Sequence, residues 1–227
     1  MRWIIFLGCL NLLACATVPE QQALSPSDNK GMVLLFSELA EGGKERPVRM
    51  LINASFLRID HGPESRDYTL FDRHQKVIYQ VAEDQSIRAI KNQAVTIKPA
   101  QAIQWKIESQ PSSALMRTPN AAKATHVKQS LNGRVCYNVI VVDGLLNETV
   151  AILQEYYTVL AGELSRTYVQ DNTPDALCWL AINIFTPLQR FAAGFPMREW
   201  GAGYQRFLMD YRLQIEIPEN MFELPKN

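Results

Sequence analysis

The chain has 227 residues, with 23 Lys and Arg against 23 Asp and Glu, and 47% of its residues are hydrophobic. That balance gives no electrostatic ground for a nucleic-acid partner or a strongly anionic surface, both of which call for a basic excess. The length suits one ordinary domain with a sizeable buried core, not a disordered or fibrous chain.

The first element reads as a leader. Arg2 supplies a positive start, Trp3 to Leu13 form an apolar run, and Ala14 is a small residue before Cys15. The run is too short for a transmembrane helix, which needs about 20 apolar residues. Leu12-Leu13-Ala14-Cys15 resembles the lipobox of bacterial lipoproteins. The resemblance implies that residues 1–14 are a signal peptide and that Cys15 is acylated, palmitate included, and becomes the mature N-terminus. It also implies a protein anchored by lipid in the cell outer membrane and facing the periplasm, since Ala16 rather than Asp follows the cysteine. An ordinary secretory signal is the alternative. Removing the leader takes away only Arg2 among the charged residues, so the chain stays near neutral. Residues 15–30 then form the lipidated N-terminus and a tether. Pro19, Glu20, Gln21, Gln22, Ser25 and Pro26 cannot build a core.

From residue 31 a single α+β domain is expected to run to residue 227. Met32 to Phe36, Val48 to Ile52, Phe56 to Asp60, Tyr68 to Asp72, Lys76 to Val81 and Ser86 to Ile90 read as successive strands. The breaks between them contain Gly42-Gly43, His61-Gly62-Pro63, Arg73-His74-Gln75 and Glu83-Asp84-Gln85. Regular turn spacing and β-branched content predict an antiparallel meander rather than βαβ units. Ile103 to Ile107 and Ala124 to Leu131 continue it past a Ser- and Pro-containing loop at 112–119. Arg134 to Val142 is the clearest strand, apolar on parts of both faces, as for a strand inside a sheet.

The period then changes. Leu146, Val150, Leu153, Tyr157, Leu160 and Leu164 recur at four and three residues, which predicts a helix. Thr173 and Pro174 predict the N-cap and first residue of a second helix, ended or bent by Pro187 near Phe185. Phe191 to Gly203 is aromatic and Gly-rich, and reads either as a wall or docking surface around Trp200 or as a satellite core beneath a loop. Tyr204 to Ile217 reads as a last helical turn or a strand. The expected class is α+β: a curved, incomplete-barrel-like antiparallel sheet with two or three helices packed on one face.

Cys9 leaves with the leader and Cys15 carries lipid, so Cys136 and Cys178 remain as a pair. In the oxidising compartment that the lipobox implies, they are expected to form a disulfide, with two buried free thiols as the alternative. Neither cysteine has a second ligand at close spacing, so no metal or cofactor is expected. His61, His74 and His126 share no metal-ligand spacing, and Asp60 and Asp72 are placed to start turns more readily than to act as an acid/base pair. Nucleophile-elbow, zinc-protease and phosphate-loop motifs are missing from the sequence, so no catalytic residue is assigned.

Phe71 to Val81, continuing through Ile87-Arg88-Ala89-Ile90, resembles a strand-turn-strand passage of proteobacterial envelope lipoproteins of unassigned activity. Over residues 31–107 the pattern is also similar to the meander of the LolA/LolB lipoprotein-carrier superfamily. That likeness implies an incomplete antiparallel barrel plugged by helices, with acyl chains held between the two. The chain departs from the scheme in placing its helices mainly after the strands. The leading expectation is therefore a non-enzymatic envelope lipoprotein that binds a lipid or acyl chain in an apolar groove. Candidate groove residues are Phe56, Leu70, Tyr79, Val81, Trp105 and Trp200. The alternative is an interaction or assembly factor for another envelope protein, and a hydrolytic enzyme ranks third.

Overall fold

The computed structural model describes residues 30–40, 43–99, 104–112, 123–168, 173–201 and 203–226. The leader, Cys15 and the tether lie outside the described residues. Six strands come first: β1 (Lys30–Ala40), β2 (Arg46–Ile52), β3 (Phe56–Asp60), β4 (Tyr68–Asp72), β5 (Val77–Val81) and β6 (Ile87–Lys91). β7 (Trp105–Pro111), β8 (Ala124–Leu131) and β9 (Arg134–Val142) follow, then helices α1 (Asn147–Thr167) and α2 (Pro174–Leu180), and finally β10 (Phe195–Gly201) and β11 (Tyr204–Glu216). A π-helical turn, Ala181–Phe185, extends α2, and short 3-10 turns occupy Gln189–Phe191 and Glu219–Phe222.

The eleven strands form one antiparallel sheet in the order β6-β5-β4-β3-β2-β1-β11-β10-β9-β8-β7, with β6 and β7 as unjoined edges. Two meanders are thus stitched by the β1–β11 pairing, which runs from Lys30 opposite Glu216 to Ala40 opposite Tyr204. Register shifts at Gly31/Val33 and Leu35/Phe36 kink this seam. The β8–β9 hairpin turns at Asn132-Gly133, both at positive φ (49° and 84°), the conformation that a tight two-residue hairpin requires.

The antiparallel sheet and the helices after β9 agree with the sequence reading, but strand content is higher than expected. Phe191 to Gly203 is not an irregular loop: most of it is β10, seated between β9 and β11. A register shift between Pro196 and Arg198 breaks the two-residue period there, which hid the strand. Tyr204 to Glu216 is wholly strand.

One face of the sheet carries Met32, Leu34 and Phe36 of β1, Val48, Met50 and Ile52 of β2, and Phe195 and Met197 of β10. This face packs on Ile152, Leu153 and Val159 of α1. Residues on the opposite face, among them Leu51, Leu70 and Phe56, pack with Ile217 and Phe222 of the C-terminal segment. Ion pairs hold α1 across the sheet. Arg73 clasps Glu155 through Nε (2.9 Å) and a terminal nitrogen (3.0 Å), and Lys76 reaches the same carboxylate at 2.9 Å. Past β6, the chain follows the last turns of α1, where Ser165 Oγ accepts from Thr96 N (2.7 Å) and Ile97 N (3.2 Å). Gly162 permits this approach, since a Cβ there would lie 2.2 Å from Gln93 O.

Thr173 caps α2, accepting from Ala176 N at 3.3 Å, as the Thr-Pro start predicted. Cys136 of β9 and Cys178 of α2 form a disulfide across 42 residues of sequence. It pins α2 to the second core cluster, with Val127, Val139 and Ala181 around it. Replacing both cysteines by Ala should lower the unfolding free energy by about 3 to 4 kcal/mol on the chain-entropy argument. Urea denaturation of the oxidised protein and the double variant, compared with the reduced protein, checks this; an unchanged midpoint would refute it.

Candidate functional site

The most chemically unusual part of the molecule is a buried group of charges where β10 and β11 pass beneath α1. Glu199 of β10 and Arg206 of β11 are nearly inaccessible to solvent. Arg206 Nε donates to Glu199 Oε2 at 2.8 Å, and a second guanidinium nitrogen reaches the same oxygen. The Tyr137 hydroxyl of β9 donates to Glu199 Oε1. Arg190, from the 3-10 turn, approaches that oxygen at 3.7 Å. On the seam, Glu38 of β1 lies 3.8 Å from Arg206 and accepts from the Tyr204 hydroxyl at 3.4 Å. Aromatic faces complete the shell. Arg190 lies 4.3 Å from the Tyr157 ring centre, and Arg206 lies 4.8 Å from that of Phe36.

Burial pushes the Glu199 carboxyl up, but Arg206, Arg190 and the Tyr137 hydroxyl outweigh it and hold it below the usual carboxylate range. Tyr137 is driven well above the usual tyrosine range, by burial first and by the Glu199 charge second. Tyr204 also moves up, mainly through burial. Glu199 therefore carries a fixed negative charge at neutral pH, and the Tyr137 and Tyr204 hydroxyls keep their protons.

Two cavities flank it. One, of about 310 Å³, lies between α1 and strands β1 to β5; its lining combines apolar Val48, Met50, Ile59, Leu153 and Leu160 with charged Glu38, Arg46, Asp60, Asp67 and Arg206. The other, of about 330 Å³, lies between the α2 region and β9 to β11, bounded by Tyr137, Trp179, Ile182, Asn183, Arg190 and Gly201. Tyr157 and Tyr204 contribute to both.

The structure does not bring the six sequence-derived groove candidates together. Val81 borders the first cavity. Phe56, Leu70 and Tyr79 belong to the cluster beneath the C-terminal segment, where Phe56 stacks on Phe222 with ring centres 5.7 Å apart. Trp105 borders the second core cluster. Trp200 stacks on His126 at 5.3 Å, flanked by Arg198. A two-residue period marks two faces without saying which one meets a helix, so facing was out of reach of the sequence. Sequence reasoning gives no site role to Glu38, Tyr137, Tyr157, Arg190 or Arg206, and marks Glu199, with Arg198, only as a rim beside Trp200. The charged ones sit inside apolar or aromatic surroundings, such as Arg190-Phe191 and Arg206-Phe207, and that was the available signal.

Asp60 and Asp72 do not form a carboxylate pair. Asp60 accepts from Arg49 at 2.8 Å and from Arg58 at 2.9 Å. Burial raises its pKa, but these arginines and the Gly62 amide bring it below the ordinary value. Asp72 accepts from the His74 and Gln75 amides, both at 2.9 Å, and so shapes the β4–β5 turn. Among the described residues, no group of three His, Cys, Asp or Glu side chains could hold a metal ion. Nor, among them, is any helix long and apolar enough to cross a membrane.

No protein-family model and no curated protein matches the chain. Among solved structures, PNGF-II in its C2 crystal form is similar at a TM-score of 0.42 and 8% sequence identity. The match covers 87% of this chain but only 30% of that one, and at this score it carries no information about function.

Two outcomes follow from the buried charges. Arg206→Leu should destabilise the fold by about 3 to 5 kcal/mol, because it strands the Glu199 carboxylate without its main partner. Thermal or urea unfolding reads this, and a loss below about 1 kcal/mol would contradict it. Acid should act in the same place. A carboxyl whose folded pKa is depressed contributes stability above its unfolded value, near 4.5 for Glu199, and that contribution fades as pH falls through the folded value. Unfolding free energy should thus decline below about pH 4.5, and the decline should be shallower in Glu199→Gln; equal slopes would exclude Glu199 as a contributor.

Proposed function

We propose that this protein is a lipid-anchored envelope protein, held at the periplasmic face of the outer membrane through Cys15, that binds an acyl chain or similar apolar ligand without catalysing a reaction. The observation that carries the reading is the cavity of about 310 Å³ left between α1 and the sheet, where aliphatic side chains such as Val48, Met50, Leu153 and Leu160 share the lining with charged and polar ones. Small-molecule sites occupy roughly 300 to 1,000 Å³ and combine apolar walls with a few polar groups. On this reading the sheet is an incomplete barrel that curves around α1, and the helix is a plug that does not fill it. Binding rather than catalysis is favoured because the two most deeply buried carboxylates, Asp60 and Glu199, are engaged by arginines, Asp60 by Arg49 and Arg58 and Glu199 by Arg206. That arrangement suits fixed charge better than proton transfer.

A second reading, an assembly factor for another envelope protein, draws on Phe207, Met209 and Leu213 of β11. They are 39%, 62% and 42% exposed, large apolar side chains left in solvent on a strand inside the sheet.

The first test is native mass spectrometry of residues 16–227, which retain every described residue, exported without the acyl anchor. A copurified phospholipid or fatty acid at near-unit stoichiometry is expected, and Leu160→Trp, which fills the cavity, should lose it. A clean apo mass that envelope lipids leave unchanged would sink the carrier reading and favour the second. For the anchor, the intact mass of the full-length product from outer-membrane fractions should lack residues 1–14 and carry acyl groups on Cys15. A mature product that still begins at Met1 would overturn the anchor.

A further inference from the structure

The cavity beside Arg190 has walls that differ in kind from those under α1, which carry both acids and bases. Its charged lining residue is Arg190; Tyr137, Tyr157, Tyr204 and Asn183 bring hydroxyl and amide groups, and no carboxylate side chain lines it. Arg190 is 5% exposed. One terminal nitrogen donates to Asn183 Oδ1 at 3.2 Å and to Ile182 O at 3.5 Å. Its Nε finds no hydrogen-bond partner among the described residues. A buried donor on a permanent cation is costly to leave unmatched, since a guanidinium cannot shed its charge.

Glu199 does not resolve this deficit. Arg206 and Tyr137 already occupy both of its oxygens, and Arg190 stands off at 3.7 Å. Glu38, the next acid, is shared between Arg206 and Arg46, the latter at 3.6 Å. The buried group therefore holds Arg190 and Arg206 against Glu199 and a shared Glu38, and of these four charged residues Arg190 is the one that lines the cavity. A guanidinium that lines a cavity together with hydroxyl and amide groups and no carboxylate matches the planar or tetrahedral oxygens of a carboxylate or phosphate. A neutral polar group would satisfy the donor but not the charge.

We propose that the Arg190 cavity seats the anionic head group, carboxylate or phosphate, of a single-chain amphiphile. The inference rests on the binding function proposed above and narrows its ligand from any apolar chain to an acidic one. Tyr157 and Tyr204 line both this cavity and the one under α1, whose aliphatic side chains would take the chain of the amphiphile.

The test is isothermal titration calorimetry of the full chain in nonionic detergent at one fixed concentration, so that micellar partition is equal for wild type and variants. The probes are decanoate, decyl phosphate and decanol. At least one anionic probe should bind about ten-fold or more tighter than decanol, as a charge-assisted contact predicts. The tighter of the two assigns the head group to a carboxylate or a phosphate. Arg190→Gln should bring all three probes to within about two-fold of one another by removing that contact. Because Arg190 is buried, Trp179→Glu provides an independent variant. Trp179 borders the cavity yet is 37% exposed, so a carboxylate there opposes the anion with little risk to folding. It too should abolish the preference. Equal affinity for all three probes in the wild type, or an anion preference that survives both variants, would overturn the Arg190 site and leave the carrier reading standing. No binding of any probe would remove both.

Discussion

The pairing of β1 with β11 is the constraint on which the rest of the structure depends. It joins residues 30–40 to residues 204–216, almost the full length of the described chain apart, and makes one sheet of two meanders. Without it, β1 to β6 and β7 to β11 would each be a separate ribbon with an additional open edge, a poor structure in water. A contact of such sequence separation is slow to find, because the loop must close before the pairing stabilises anything. Its side chains reward the search: Leu34 and Phe36 from β1 join Leu208 and Tyr211 from β11 in the main core.

The buried charges lie on that seam rather than beside it. Glu38 comes from β1, Arg206 from β11, Glu199 from β10 and Tyr137 from β9, so the group is complete only when the C-terminal strands are in register. A slip of one residue would turn Arg206 to the other face and leave Glu199 without its main partner. Buried ion pairs add little net stability over apolar packing, yet breaking one is expensive, which makes them suited to enforcing a single arrangement. Here that arrangement also leaves Arg190 incompletely matched at a cavity wall. A side chain placed purely for stability would be expected to have its donors paired, so this residue ties the architecture to the proposed binding role.

The helices play a different part. α1 is held by ions at its middle, through Glu155 with Arg73 and Lys76, and near its C-terminus, through Glu163 with Arg88. It buries Ile152, Leu153 and Val159, while Tyr156, Tyr157 and Leu160 border open space. The helix is thus held firmly yet packed incompletely against the sheet. α2 is short and depends on the Thr173 cap, the π-helical turn and the disulfide to Cys136. Both helices lie against positions that the long strands supply.

Local chemistry was legible in the sequence. The two-residue alternation from Val48 to Ile90, the 3.6-residue stripe from Leu146, the Thr173-Pro174 helix start and the Cys136–Cys178 pair could all be read from neighbouring residues and composition. Each signal depends on residues close in the chain or, for the cysteines, on there being few candidates. Strand β10 escaped because the Pro196/Arg198 register shift breaks its period. Only the tertiary structure decided which face of each strand meets α1, and so placed Phe56 and Leu70 beneath the C-terminal segment instead of in a groove. It alone brought Glu38, Tyr137, Arg190, Glu199 and Arg206 together. Nothing near Arg206 in sequence marks Glu38 as its neighbour, because alternation carries no address for a partner strand and charge attraction leaves no periodic trace.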